Sequence, residues 1–169
     1  VRVPPPRKFR PLLGEVRSAR ILPGVSTVGG TGELSYAKRF GLRYESKVHD
    51  ELKGKFGRWF MAGPVIEFFD GNSKYDKRFC VPDGLIRHHT RMVVCEIKSQ
   101  HMPEAWWQLR KLYEPVVRKL WGRELVLLEI CRSYDPQMPF PEKVEFVEDI
   151  GKFALEAKDG TLGVLQWKL

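Results

Sequence analysis

The stretch VPDGLIRHHTRMVVCEIK, residues 81–98, decides how this chain reads. Its two halves belong to strand candidates at 78–87 and 92–98. Between them, His89-Thr90 has the length of a two-residue hairpin turn. With that turn, partner numbers add to 179: His88 faces Arg91, Leu85 faces Val94, and Asp83 faces Glu96. Opposed residues share one sheet face with Cβ atoms about 5 Å apart. Side chains alternate along a strand, so Val94, Glu96 and Lys98 share that face, while Val93, Cys95 and Ile97 turn into the core.

Two carboxylates opposed on one face repel each other. A divalent cation resolves the conflict, because Mg²⁺ takes oxygens from one or two carboxylates and completes its shell with water and phosphate. Lys98, about 6.5 Å beyond Glu96 along the strand, is placed to hold or deprotonate an attacking water or to steady charge on a phosphate. The competing reading makes Asp83-Gly84 an ordinary turn and leaves Glu96 and Lys98 on a solvated face.

On either side the pattern changes period. Phe40, Tyr44, Val48, Leu52 and Phe56 recur every four residues, which predicts a helix over 35–56, with Gly54 and Gly57 at its end. Glu45 and His49 lie one turn apart beside that apolar stripe. Glu51 and Glu67 are rivals of Glu45 for a third acidic role. A first strand is expected within 59–69. After the hairpin, Pro103 opens a helix over 103–120 whose apolar face is Trp106, Leu109, Leu112/Tyr113, Val116/Val117 and Leu120, with a kink expected at Pro115. Residues 124–131 form a near-continuous apolar run, as in a strand buried on both faces. Residues 144–150 carry no clean alternation, and TLGVLQWKL at 161–169 reads as a further strand.

The order is helix, three strands, helix, strand. Together with Val81-Pro82-Asp83 and the apolar run ending in Glu96-Ile97-Lys98, it resembles the PD-(D/E)XK nuclease superfamily over about residues 37–132. Gly41-Leu42-Arg43-Tyr44-Glu45 resembles that family's first motif. Gln108 and Tyr113 resemble the Gln…Tyr motif of its RecB-like and lambda-exonuclease-like branch, with one residue more between them than usual. The resemblance implies an α/β fold of the restriction-endonuclease-like kind, with an αβββαβ core, a mixed central sheet flanked by helices, and extensions at both ends. It implies Mg²⁺ or Mn²⁺ held by Glu45, Asp83, Glu96 and the Ile97 carbonyl, with Lys98 and Gln108 completing the catalytic set. Two other Glu-x-Lys triplets, at 51–53 and 156–158, lack the preceding strand and Pro-Asp.

The chain has 169 residues and a formal net charge of +8, a balance that favours a polyanionic partner. Three scattered cysteines, Cys80, Cys95 and Cys131, form no CxxC or Cys/His cluster, which argues against zinc and for buried thiols in a reducing compartment. No apolar run has the length of a membrane span, and the first residues, VRVPPPRKFRP, lack the apolar core of a signal peptide. The sequence does not open with Met, which leaves room for a preceding segment. The Gly-rich run at 23–33 has no Lys in the frame of a phosphate-binding loop.

Three parts are expected: a basic Pro/Gly-rich arm at 1–36, a nuclease core at 37–135, and an extension of the same domain at 136–169. Arg7, Lys8 and Arg10 on the arm, with His49, Arg110 and Lys111, are the candidate phosphate contacts. The expected activity is metal-dependent hydrolysis of DNA, by an endo- or exonuclease of repair, recombination or phage DNA processing. Such an enzyme would work in the cytoplasm of a prokaryotic or phage-infected cell. The alternatives are a catalytically silent nucleic-acid-binding module and a subunit active only with partners. DNA is the expected partner, no membrane is, and a homo-oligomer or protein partner is left open.

Overall fold

The computed structural model describes residues 2–24 and 36–169. Most of the Gly-rich run at 23–33 lies outside them. The elements are β1 (Ser18–Ile21), α1 (Tyr36–Phe56), β2 (Phe60–Ala62), β3 (Ile66–Phe69), β4 (Lys77–Cys80), β5 (Gly84–His88) and β6 (Arg91–Gln100). Then follow α2 (Pro103–Trp106), a π-helical turn (Trp107–Tyr113), α3 (Glu114–Trp121), β7 (Leu125–Ser133), β8 (Glu145–Phe146), α4 (Ile150–Glu156) and β9 (Leu162–Gln166). A mixed six-stranded sheet runs β2-β5-β6-β7-β9-β8, and a small sheet runs β1-β3-β4. The fold is α/β, with helices on both faces of the large sheet.

The expected hairpin is present in the expected register. His88 pairs with Arg91 and Leu85 with Val94. His89 takes the left-handed conformation that a tight turn demands, with φ 55°. The first two strand candidates, however, are each cut in two. Residues 59–69 break at Gly63-Pro64 into β2 and β3, and 78–87 breaks at Val81–Asp83 between β4 and β5. The two halves of each belong to different sheets. Ile66 pairs with Cys80, and Ala62 with Gly84, so both segments keep partner numbers adding to 146. One long antiparallel ribbon is therefore folded across its middle. Prolines lie at both breaks because each lacks the N–H that a ladder needs, and Gly63 adopts a positive φ of 52° there.

Val93, Cys95 and Ile97 face the core as expected, and the opposite face of the strand is covered as well. Six consecutive residues of β6, Met92 to Ile97, are buried. Val93, Cys95 and Ile97 pack under α1 (Tyr44, Val48, Leu52) and α4 (Ile150, Phe153, Ala154). Met92 and Val94 pack with Leu109, Tyr113, Val116 and Val117 on the other face. β7 is buried from Leu125 to Cys131, as its apolar run predicts.

The helix over 103–120 exists, and its irregularity is a π turn closed by the Glu114 N–H on the Leu109 carbonyl. The arm, expected to be irregular, contains β1, which pairs with β3. It is also fastened down: the Leu13 N–H donates to Asp70 Oδ2 at 2.9 Å, and Arg78 donates to the Arg10 and Pro11 carbonyls and to Asp70. No helix among the described residues is long and apolar enough to cross a membrane.

Candidate active site

The fold in the ribbon is what presents Asp83. The hairpin register would set Pro82 opposite Ile97, where proline has no N–H to exchange. The ladder ends at Gly84–Cys95, and the Ile97 N–H is left without a strand partner. Asp83 Oδ2 accepts it at 2.7 Å. A buried amide needs an acceptor, so the carboxylate is held against β6 by the backbone it caps. The Asp83 carbonyl in turn accepts the Gly63 N–H at 3.0 Å and the His49 Nε2–H at 2.8 Å, which ties the bend to α1.

Glu96 and Lys98 share one face of β6. Lys98 Nζ lies 3.0 Å from Glu96 Oε1, with the side chains 17% and 4% exposed. The other oxygen, Oε2, is buried without a donor. The Asp83 and Glu96 carboxyls are near enough to act on each other's proton affinity. Two ionised carboxylates so placed repel, a conflict that a proton or a cation would relieve. Burial first, and Asp83 second, hold Glu96 well above the usual carboxylate range. Burial likewise raises Asp83, against the pull of the Ile97 amide and Lys98. For Lys98 burial opposes the charge, but Glu96, Glu104 and Asp83 outweigh it and the ammonium is held more firmly than usual.

Glu45 reaches the same place from α1. Burial, then Asp83, push its carboxyl up to about 7, against the attraction of Lys98. His49 Nε2 stands 3.9 Å from it. The rivals fall away: Glu51 is exposed, and Glu67 pairs with Arg20 at 3.2 Å.

Other groups complete the surroundings. Tyr113 is 4% exposed, donates to the Val81 carbonyl at 3.2 Å and stands against Glu96, with burial and that carboxyl raising its hydroxyl pKa. Gln108, in the π turn, keeps a buried carbonyl oxygen with no donor. Glu104, which the sequence reading passed over, lies 3.9 Å from Lys98. A further acid, the buried Glu129, is beside Glu96 in the parallel register. It is already engaged by His101 Nδ1 at 2.6 Å and by the Met102 N–H at 3.2 Å.

The proposed phosphate contacts are scattered. Arg110 is turned inward, donating to Glu142, Glu114 and the Gly160 carbonyl, so a phosphate there would compete with two carboxylates. Lys111 is exposed and rests on Trp106. Arg7, Lys8 and Arg10 are exposed on the docked arm. His49 faces Glu45 and Asp83.

Among the described residues, no three His, Cys, Asp or Glu side chains are gathered closely enough to hold a metal ion as they stand. Burial nevertheless raises the proton affinity of all three carboxyls around a single lysine, and Asp83 adds to it at Glu45 and Glu96. Their donor set is all oxygen, the kind Mg²⁺ and Mn²⁺ prefer, and the unpartnered Glu96 Oε2 is the atom that such an ion would satisfy. Set against protein-family models, curated proteins and solved structures, the chain finds no match in any of the three.

Proposed function

We propose that the chain is a metal-dependent deoxyribonuclease of the PD-(D/E)XK kind, with a restriction-endonuclease-like core. The observation that carries this reading is the Asp83–Glu96 pair, with Lys98 on one oxygen of the buried Glu96 carboxylate and its other oxygen orphaned. Such a pair destabilises the fold unless a cation or a proton joins it. Glu45, Asp83, Glu96 and the Ile97 carbonyl would hold Mg²⁺ or Mn²⁺. When bound, the ion polarises a phosphoryl oxygen and acidifies a water. Lys98 would orient that water and meet the charge developing on phosphorus. Gln108 and Tyr113 support the same reading. Five residues apart, they would lie about 140° apart around an α-helix, whereas a π turn, with its i→i+5 bonds, returns them towards one side. The net charge of +8 suits a nucleic-acid substrate.

A second reading, a catalytically silent nucleic-acid-binding module, is favoured by the Lys98–Glu96 pair and by the absence of a ready cluster of three ligands among the described residues. One assay separates the two. Supercoiled plasmid and linear double- and single-stranded DNA are incubated with the protein in Mg²⁺, Mn²⁺ or EDTA, beside Glu96→Gln and Lys98→Met. Cutting by the wild type alone, lost in EDTA, is the expected result. Retention of DNA without cutting in either metal would overturn the nuclease and leave the binding module. An active, metal-dependent Lys98→Met variant would remove the role given to that lysine.

A further inference from the structure

Two groups stand out among the molecule's fifteen arginines. Arg20, Arg78, Arg91, Arg110 and Arg118 are paired with carboxylates. Arg58, Arg87 and Arg123 have no such partner among the described residues and rest on indole rings, all in one region. Arg58 lies 4.6 Å over Trp59, Arg87 lies 5.4 Å over Trp59 and 5.2 Å over Trp121, and Arg123 lies 5.9 Å over Trp121. Cation and ring alternate along a ladder drawn from three places in the chain: the end of α1, the β5–β6 hairpin, and the turn after α3. Trp59 is 46% exposed. Beside it is a depression of about 440 Å³ lined by Lys55, Phe56, Trp59, Arg87, His88 and His89, with no acid among them.

This surface is remote from the carboxylates. It lies at the Arg91 end of β6, and Lys98 is seven residues further along the strand, about 20 Å away. A guanidinium stacked on an indole is fixed in place while its N–H edge stays free for phosphate oxygens. An indole edge, an arginine plane and an open apolar-floored depression are what an unpaired base needs, because every base has a π-face to stack. A duplex hides its bases and would use only the charge.

We propose that the Trp59–Arg87–Trp121 surface with its adjoining depression is a binding site for single-stranded nucleic acid, separate from the carboxylate cluster. It does not depend on the nuclease reading, and its test is made where no cutting can occur.

Binding of a fluorescently labelled twenty-residue oligothymidylate, and of a duplex of the same length, is followed by anisotropy in EDTA. The proteins are the wild type, Trp59→Ala, Trp59→Phe and Arg87→Ala. The wild type should prefer the single strand. Trp59→Ala and Arg87→Ala should each weaken single-strand binding about tenfold, and Trp59→Phe should restore most of it. Unchanged affinity in both alanine variants would overturn the proposal. Equal losses on duplex and single strand would also overturn it, since the surface would then read only phosphate. Failure of the nuclease reading would appear instead as absent cutting in Mg²⁺, with this binding intact.

Discussion

Glu45→Gln should make the metal-free protein more stable, not less, and only at neutral to alkaline pH. In the fold the Glu45 carboxyl is raised from its ordinary 4.5 to about 7, by burial and then by Asp83. A carboxyl whose proton affinity rises on folding opposes folding wherever the unfolded chain would have released the proton. The effect is absent below about 4.5, grows as pH rises from there to about 7, and is complete above. The gap between 4.5 and about 7, at about 1.4 kcal/mol per pH unit, corresponds to about 3 kcal/mol. That figure is a ceiling, since the side chain is 30% exposed and water screens part of the repulsion. Glutamine keeps the shape and removes the charge. Thermal unfolding in EDTA at pH 8 should therefore show a rise of several degrees, at about 2–4 °C per kcal/mol for a chain of this size. The rise should shrink towards zero by pH 4.5. With millimolar Mg²⁺ or Mn²⁺ at pH 8 the order should reverse, because the wild type gains the cation and the variant loses one oxygen ligand for it. A Glu45→Gln variant that is less stable at pH 8 in EDTA, or whose difference from the wild type is the same at pH 5 and pH 8, would refute the electrostatic account of the cluster.

Three further outcomes test the supports of the site. His49→Ala removes the donor to the Asp83 carbonyl and should lower the free energy of urea unfolding by about 1–2 kcal/mol; an unchanged midpoint would mean the tie between α1 and the bend carries no weight. Arg78→Ala leaves Asp70, 1% exposed, without its 2.7 Å guanidinium partner. It should cost about 3–5 kcal/mol and make the arm before β1 the first site of limited proteolysis. Gly163→Ala puts a methyl 2.5 Å from Val147 and 2.8 Å from Phe153. It should lower stability by about 1–3 kcal/mol, while the pH dependence that Glu45 produces should stay as it is.

What the sequence made legible was local. The turn at His89-Thr90 and the register of β5 on β6 follow from neighbours within a few residues, and α1, β7 and β9 from long or strongly patterned runs. The small sheet was hidden because the chain leaves one sheet and enters another without losing its pairing register, and only the prolines at 64 and 82 mark the crossing. α4 was hidden by length: seven residues, Ile150 to Glu156, are too few for periodicity to declare itself. Asp149, whose side chain accepts the Lys152 N–H, is the cap that could have signalled it. α4 adds its cover to the face of β6 that α1 already packs against, that of Val93, Cys95 and Ile97. Arg110 was legible only in part: Glu114 lies one helical turn on, but its other partner Glu142 lies thirty-two residues away.

The same bend explains why the candidate site could be found in the sequence although the sheets around it could not. Proline at 82 does two things at once. It keeps the β5–β6 ladder from reaching Ile97, two residues beyond its last pair at Gly84–Cys95, and it turns the ribbon so that the next residue has an unpaired amide to fill. Asp83 is the side chain that fills it, at 2.7 Å. The Pro-Asp dipeptide is thus a structural instruction before it is a chemical one. The acid is brought to Glu96 by the need to satisfy a buried N–H, and the repulsion that follows is a consequence of that placement. α1 is joined to the same bend through His49, which brings Glu45 one turn away into the field of Asp83 and Lys98. A sequence motif of two residues and a spacing could therefore be read without the topology, because the residues that break the strand are also the residues that assemble the cluster.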